Sequence, residues 1–422
     1  MDYKKIIVKN GITLHEITTN KFKTNLIAVF LTTELNRKNV TKNALISSIL
    51  RRGTKNLNTQ EEISKKLEEM YGAEFDCGLD KTGDNQVLKF YIETINDEFL
   101  PEGSSNILEE SLTNIFDIVL NPYTENNAFK KEYLEQEKNN IRQLIEGKID
   151  NKSRYALDRC IEEMYKNESY GLYKYGYVED LEKITAEELY EYYKELIANC
   201  KIDIFVSGII DNKLEDIIKS NENIQRLNER NAKYVIPEIT KKDSVEEKVV
   251  IENMDVTQGK LILGLDVNAD AEDLKYDAIL YNSILGGSAN SKLFQNVREK
   301  ANLAYIAGSS YFRYKNNIFI KCGIEIENYD KALEIIRKQI KDMENGEFSE
   351  EDIKNSQKGI IAGIKSINDE QDTQITFYFG QELSKKPISV EEYIEKVQNV
   401  KKENIVNIAK KVSINTIYFL RN

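Results

Sequence analysis

The chain has very few of the histidine and cysteine side chains that act as bases, nucleophiles and metal ligands in many hydrolytic sites. It has 422 residues but only one histidine and four cysteines, and only four prolines. Any Ser-His-Asp or Cys-His nucleophile arrangement would have to use that histidine, His15. His15 lies in a strand-like run beside Glu16, where a surface position is expected. A self-sufficient enzyme would need a site of an unrecognised kind, and the single histidine argues against it.

Other absences limit the cellular setting. No apolar run approaches the roughly 20 residues of a membrane-spanning helix, and Met1-Asp-Tyr-Lys-Lys leads into alternating residues rather than a signal-peptide core. The cysteines form no CxxC pair, which predicts free thiols and a cytoplasmic protein. The net charge of −12 argues against non-specific binding to nucleic acid. No glycine-rich phosphate loop of P-loop or Rossmann type is present.

The remaining composition, 41% hydrophobic and 31% charged, is that of a globular chain long enough for two or more packed domains. Strand-like runs are rich in apolar or β-branched residues, and they lie at 11–17, 25–33, 87–93, 202–207, 260–267, 317–322 and 416–420. Helical periodicity is found at 127–147, 185–198, 330–345 and 349–368.

These elements repeat in the same order in two halves. Ser47-Ser-Ile-Leu50 corresponds in position to Asn282-Ser-Ile-Leu285, which indicates an ancient duplication rather than a short-period solenoid. We therefore predict a half at 1–220, a linker at 221–248 and a second half at 249–422. The fold class is α+β, each half being a mainly antiparallel sheet with helices on one face.

One stretch carries a specific pattern: Leu285-Gly-Gly-Ser-Ala-Asn-Ser-Lys-Leu-Phe-Gln-Asn-Val-Arg-Glu-Lys-Ala-Asn-Leu-Ala-Tyr305. It is typical of a glycine loop, an amphipathic helical segment and the start of a strand. Leu293, Phe294 and Val297 form the apolar stripe of that segment. Arg298 can donate a fork of hydrogen bonds to peptide carbonyls, and the Tyr305 hydroxyl can donate to a carbonyl oxygen on which charge develops.

The stretch resembles the second-half signature of the M16 metallopeptidase family, the pitrilysin, inverzincin or insulinase type that includes mitochondrial-processing-peptidase-like proteins. The resemblance implies a clam-like subunit of two similar halves. It also implies that Arg298 and Tyr305 hold a substrate peptide against zinc, with Gly286, Gly287, Ser288 and Phe294 lining the peptide site. The family pattern usually has Gly after the Lys, where this chain has Ala301-Asn302.

The family's zinc motif, H-x-x-E-H, is missing. Gly53-Thr54, the turn that follows the motif helix, aligns Ala44-Leu-Ile-Ser-Ser48 with it. Ala44 and Ser48 would replace the histidines and Ser47 the general base. The Glu137-Lys138 pair places the distal ligand position on Leu144. Alanine and leucine are not ligands and a serine hydroxyl is a poor one, so we expect no metal or other cofactor in this chain.

The interpretation is a subunit that is inactive alone and binds substrate in a heterodimeric zinc peptidase. Its partner would be an M16 subunit with H-x-x-E-H that holds the zinc, and the substrate would be a peptide. The alternative is a structural or scaffold protein derived from the M16 family with no role in proteolysis. Neither a nucleic acid nor a membrane is expected as a partner.

Overall fold

The computed structural model describes residues 2–101, 106–236, 246–269, 271–384 and 387–422. The chain forms two compact units, and each unit is assembled from several stretches of sequence. The first unit contains Met1–Glu146, Leu172–Val235 and Ile367–Leu383. The second unit contains Gly147–Gly171, Ile236–Ser366 and Ser384–Asn422. Each unit therefore includes a helical segment that comes from the other half of the sequence.

The strands, in chain order, are β1 Asp2–Lys9, β2 Ile12–Thr18, β3 Thr24–Glu34, β4 Glu74–Thr82, β5 Asn85–Ile95, β6 Thr124–Glu125, β7 Ala128–Phe129, β8 Lys201–Gly208, β9 Lys248–Asn253, β10 Gly259–Val267, β11 Ala304–Phe312, β12 Asn317–Ile324 and β13 Val412–Arg421. All seven strand-like runs predicted from the sequence are confirmed, and β11 confirms the start of a strand that was expected near Tyr305. The strands β1, β4, β6, β7 and β9 are additional.

The α-helices are α1 Val40–Ile49, α2 Gln60–Glu69, α3 Ile107–Leu120, α4 Lys131–Glu146, α5 Lys152–Met164, α6 Val178–Leu181, α7 Ala186–Asn199, α8 Leu214–Ser220, α9 Glu222–Arg226, α10 Ala271–Asn282, α11 Tyr329–Glu344, α12 Glu350–Ser366, α13 Gln371–Glu382, α14 Val390–Asn399 and α15 Lys402–Ala409. Short 3₁₀ turns lie at Leu50–Arg52, Asp97–Phe99, Gly147–Ile149, Ser169–Gly171, Ile326–Asn328 and Ile367–Asp369. Two further segments, Ser283–Gly287 and Phe294–Lys300, are π-helical.

The two main sheets share one strand order. The first runs β1-β2-β8-β3-β5-β4 and the second β11-β12-β10-β13-β9. Each sheet is antiparallel except at one pair, β2 with β8 in the first and β9 with β13 in the second. Read from the hairpin edge, β4-β5-β3-β8-β2 therefore matches β11-β12-β10-β13-β9 in order and direction. The prediction of two similar, mainly antiparallel α+β halves is confirmed.

Helices cover both faces of the first sheet, so the expectation of helices on one face was wrong. Val29 of β3 packs into a core that includes Ile115 of α3. Phe30, the next residue, points to the opposite face, where its ring centroid lies 5.0 Å from that of Phe379 in α13. Because α13 lies late in the chain, strand and helix periodicity in the first half carries no sign of it.

The corresponding position in the second unit is filled by α5. Its buried residues Ala156, Leu157 and Cys160 share a core with Phe319 of β12 and Tyr418 of β13. Glu252 of β9 accepts hydrogen bonds from the α5 residues Tyr155 (2.6 Å) and Arg159 (3.1 Å). These contacts fix α5 on the sheet that also carries β11, the strand with Tyr305.

Candidate functional site

The glycine pair of the sequence pattern lies at the end of a helix rather than in an open loop. It closes the π-helical turn that follows α10. Gly286 is buried, and a Cβ atom there would lie 2.5 Å from Ser309 Oγ and 2.6 Å from Ser309 N. Ser309 Oγ in turn donates to Asn282 Oδ1 at 2.7 Å. Gly286 thus allows the turn to pack on β11, whereas Gly287 and Ser288 are exposed.

The predicted amphipathic segment is present, but its hydrogen bonding is π-helical from Phe294 to Lys300. Leu293 and Val297 are fully buried and Phe294 is half-buried, which confirms the apolar stripe. Asn302 ends the segment in the left-handed region (φ 53°), and its N–H donates to Arg298 O at 3.0 Å. Asparagine tolerates this conformation, so Asn302 makes the turn that a glycine usually makes in the family pattern.

Strand β11 begins with a bulge at Tyr305. Ala304 pairs with Ile324 and Ile306 with Gly323, so Tyr305 has no partner in the register of β12. A regular strand alternates its faces, but here two consecutive side chains, Tyr305 (75%) and Ile306 (56%), are exposed. Bulges at sheet edges redirect side chains and are frequent beside functional sites.

The bulge and the π segment bring three predicted site residues together. The Arg298 guanidinium carbon lies 4.6 Å from the centroid of the Phe294 ring and 5.7 Å from that of the Tyr305 ring. The one polar contact of this side chain among the described residues is with Glu299, at 3.4 Å from Nε. Stacking on aromatic faces restrains a guanidinium without using its N–H groups. The cluster of Phe294, Arg298 and Tyr305 can therefore offer fixed donors beside an aromatic surface.

The four positions aligned with the zinc motif lie in the first unit. Ala44 is fully buried, Ser47 is 4% exposed and Leu144 is 47% exposed. The Ser47 and Ser48 hydroxyls donate to Ala44 O at 2.8 and 3.4 Å, within their own helix α1. In the parts of the chain that the structure describes, no group of three or more His, Cys, Asp or Glu could hold a metal ion.

The sequence analysis did not predict that a carboxylate beside α1 is buried. Glu137 of α4 is fully buried and forms an ion pair with Arg52, and it also accepts from Asn140 Nδ2 at 3.1 Å. Its two oxygens are therefore satisfied within the protein. The signal that could have revealed the pair is a Glu on the apolar side of α4, where the neighbouring buried residues are Leu134 and Ile141.

His15 is fully buried, so the expectation of a surface position was wrong. Its Nε2 lies 3.0 Å from Asp203 Oδ1, and its Nδ1 lies 2.8 Å from the Tyr3 hydroxyl. Lys201 donates to the same Asp203 oxygen at 2.9 Å, and Tyr234 donates to the other at 2.7 Å. The polar alternation of Thr13 and His15 on β2, and of Lys201 and Asp203 on the adjacent β8, is the sequence signal for this network.

The charge balance of the network is visible in the pKa of Asp203. Burial alone would raise that pKa, but the Lys201 ammonium and the hydrogen bonds from His15 and Tyr234 outweigh it and lower the pKa to about 2. A fully buried carboxylate needs its partners, because removing one of them leaves an uncompensated buried charge. The network joins β1, β2, β8 and the segment that carries Tyr234, so its role in the described unit is structural.

Comparison with known proteins decides the family. The family model described as "Peptidase M16 inactive domain" matches residues 183–360. The Bacillus subtilis (strain 168) protein named "Probable inactive metalloprotease YmfF" is 34% identical over 417 residues, which covers 97% of this chain and 96% of that protein. The chain belongs to the M16 peptidase family.

Solved structures agree at the level of the fold. A conserved protein from Enterococcus faecalis V583 superposes with a TM-score of 0.90 at 26% identity, covering 100% of this chain and 99% of that one. An M16 inactive-domain protein from Pseudomonas fluorescens gives a TM-score of 0.80 at 14% identity, covering 100% and 98%. The M16 fold therefore extends over the whole chain.

The metal expected of an active M16 subunit does not fit the residues present here. Zinc in a peptidase needs three nitrogen, sulphur or carboxylate ligands and an open position. The aligned positions instead offer the methyl group of Ala44 and the exposed isobutyl group of Leu144. The other two positions, Ser47 and Ser48, have hydroxyls that donate hydrogen bonds within α1. The four cysteines are free thiols. No helix in the described ranges is long and apolar enough to cross a membrane.

Proposed function

We propose that this M16 chain is the non-catalytic, substrate-binding subunit of a two-chain zinc peptidase. The observation that carries the proposal is the cluster of Phe294, Arg298 and Tyr305. It presents a stacked guanidinium and a 75%-exposed tyrosine on a bulged strand, while the residues aligned with the zinc motif have no metal-binding chemistry. The chain thus keeps the peptide-binding side chains of the signature without the groups that hydrolysis requires.

In this proposal the substrate is an extended or unfolded peptide. Arg298 donates to backbone carbonyl oxygens of the peptide, since its N–H groups other than Nε have no partner among the described residues. The Tyr305 hydroxyl donates to the carbonyl oxygen of the bond to be cleaved. The exposed Gly287 and Ser288 and the half-buried Phe294 lie in the same stretch and would contact the peptide. A partner subunit with H-x-x-E-H would supply the zinc and the hydrolytic chemistry.

The names of the matching proteins support the inactive part of the proposal. The matching family model is described as an inactive domain, and the Bacillus subtilis relative is named a probable inactive metalloprotease. We accordingly infer that the isolated chain cleaves no peptide and carries no cofactor. The free thiols of the four cysteines support a reducing compartment, and we place the protein in the cytoplasm.

The test is to purify the tagged chain from its native cells under gentle conditions and to identify what accompanies it. We expect a second M16 chain with H-x-x-E-H in one-to-one ratio, one zinc per pair and peptidase activity in the pair alone. The interface should bury roughly 1,600 Å² or more, as stable complexes do. Purification without an M16 partner, or with a partner whose activity does not depend on this chain, would favour the scaffold alternative.

A further inference from the structure

A cavity of about 320 Å³ lies in the second unit, apart from the cluster of Phe294, Arg298 and Tyr305. Three helices, α10, α14 and α15, line it, and it is open to solvent on one side. The residues that line it are Tyr276, Asp277, Glu392, Glu395, Lys396, Asn399, Val400 and Asn404. Its volume is at the lower end of the roughly 300–1,000 Å³ that small-molecule sites occupy, so it suits a single side chain better than a cofactor.

Asp277 is the unusual member of this lining. It is only 8% exposed, yet it forms neither a hydrogen bond nor an ion pair with any described residue. Burial raises the pKa of its carboxyl, and the charge of Lys411 opposes that rise. The carboxylate lines a cavity that is open to solvent, so its oxygens can accept from water or from a group that enters. An unpaired carboxylate in a cavity wall is therefore an acceptor suited to a group that enters the cavity.

The rest of the lining is suited to a cation. Three carboxylates and one ammonium, that of Lys396, are among the lining residues, so the lining itself has an excess of negative charge. One of the three, Glu392, already accepts from Ser389 N at 3.0 Å in the cap of α14. Asp277 and the exposed Glu395 remain available. The Tyr276 ring, 5.1 Å from that of Tyr393, adds an aromatic wall. The Lys275 ammonium already lies 5.3 Å from the centroid of this ring, a contact of the kind that alkylammonium groups make.

The cation is more consistent with an organic group than with a metal ion. The described carboxylates include no set of three arranged to hold a metal, and divalent ions need several oxygen ligands in close geometry. An ammonium on an alkyl chain needs only one or two carboxylates, and its methylene groups can pack on Val400 and the tyrosine ring.

We propose that this cavity binds the primary ammonium of a lysine side chain from a protein or peptide, with Asp277 as its buried acceptor and Glu395 as its outer one. The ligand gives Asp277 a direct ion pair, which Lys411, beyond ion-pair distance, does not. The site is independent of the Arg298 cluster, so it can be present whether or not the chain acts in proteolysis.

Saturation-transfer NMR on the full chain tests the proposal with Nα-acetyl-lysine N-methylamide as the probe. We expect transfer to the lysine methylenes in the wild type, at least tenfold weaker binding to Asp277→Asn, and a smaller loss for Glu395→Gln. The same probe acetylated at Nε should not bind. Glu391→Gln, on the exposed side of α14, is the matched control and should bind as the wild type does.

Two results would overturn the proposal. One is equal binding of the probe to the wild type and to Asp277→Asn when circular dichroism shows that both are folded. The other is binding of spermidine with no binding of the lysine probe, which would assign the cavity to a free polyamine. Because Asp277→Asn removes an unpaired buried charge, its melting temperature should equal or exceed that of the wild type, so that loss of binding is not a folding defect.

Discussion

The guanidinium of Arg298 and the ring of Tyr305 lie 5.7 Å apart although they belong to different elements, a π-helical segment and the edge strand β11. Two local irregularities produce this distance. The left-handed Asn302 reverses the chain between them, and the bulge at Tyr305 turns the tyrosine ring out of the normal alternation of the strand. Regular helix and strand geometry would not place these two side chains in this way.

Tyr305→Phe should separate catalysis from assembly. The substitution removes one hydroxyl and keeps the ring that stacks with Arg298. In a verified complex with an H-x-x-E-H partner, zinc content and assembly should be unchanged. Peptide turnover should fall about 100-fold, the scale for losing one donor to a developing oxyanion. Tyr123→Phe removes another exposed hydroxyl, which bonds only Glu125 among the described residues, and should have no effect. Wild-type turnover in Tyr305→Phe would support the scaffold alternative.

Arg298→Lys should weaken substrate binding. Lysine keeps the charge but loses both the planar fork of donors and the stacking on two rings. We expect KM for a peptide substrate to rise about tenfold, the scale of one or two charge-assisted hydrogen bonds, with a smaller change in kcat. Arg313→Lys is the matched control, since the Arg313 guanidinium also stacks on a tyrosine, 4.5 Å from the ring centroid of Tyr314. Equal KM values for the two variants would contradict the assignment of Arg298.

Purified wild-type chain should contain far less than one zinc per molecule. The aligned positions Ala44, Ser48 and Leu144 offer no adequate ligand, and the hydroxyls present bond within α1. Plasma mass spectrometry of tag-free protein measures this directly. One zinc per chain that is lost in Ser48→Ala or Leu144→Ala would show that these positions do hold a metal, and would overturn the interpretation of a degenerate site.

The sequence predicted the parts of the fold that depend on local pattern and missed those that depend on tertiary context. Alternation and helical periodicity were enough to find β3, β10 and α11, because burial of one face imposes the pattern. The strands β1 and β4 lie at sheet edges and bury few residues, so their apolar signal is weak. The Arg298 and Tyr305 positions came from a spacing pattern, but the π segment and the bulge that bring them together depend on hydrogen-bond registers that residue types do not determine.

His15 shows the same limit at a single residue. A lone histidine beside a glutamate in a strand is usually at the surface, because burial without partners is costly. Here the partners, Asp203 and Lys201, come from β8, which is far away in sequence and adjacent in the sheet. Their polar character was visible within an otherwise apolar strand, but pairing it with β2 requires the topology.

Asp203 should make stability depend on acid pH. Its folded pKa of about 2 lies below the ordinary aspartate value of roughly 3.9. The carboxylate therefore contributes stability that is fully present above about pH 4 and is lost as the pH falls towards 2. The contribution is roughly 2–3 kcal/mol. Urea unfolding at a series of pH values from 7 to 2 measures the free energy of unfolding. Its decrease between about pH 4 and pH 2 should be smaller by this amount in Asp203→Asn than in the wild type.

At neutral pH, Asp203→Asn should also lower the free energy of unfolding by roughly 3–5 kcal/mol, because it leaves Lys201 buried beside a neutral group. Asp216→Asn, at an exposed position in α8, should change neither the free energy of unfolding at neutral pH nor its dependence on acid pH. If the free energy of unfolding varied with pH in the same way in Asp203→Asn and Asp216→Asn, the buried network would not stabilise the protein as argued.

Gly286 should be the least replaceable glycine of the signature for a packing reason. In Gly286→Ala the new methyl group would lie 2.6 Å from Ser309 N and 2.5 Å from Ser309 Oγ, so the turn or β11 must shift. We expect a loss of roughly 1–3 kcal/mol of unfolding free energy, the usual cost of overpacking, and reduced peptide binding because the shift also moves the strand that carries Tyr305.

Gly359→Ala is the control: in the interior of α12 its Cβ would meet no atom within 4 Å, so the substitution should stabilise the protein by about 0.5–1 kcal/mol. Urea unfolding of the three proteins gives the comparison, and equal stabilities for Gly286→Ala and the wild type would show that the turn does not need its glycine for packing.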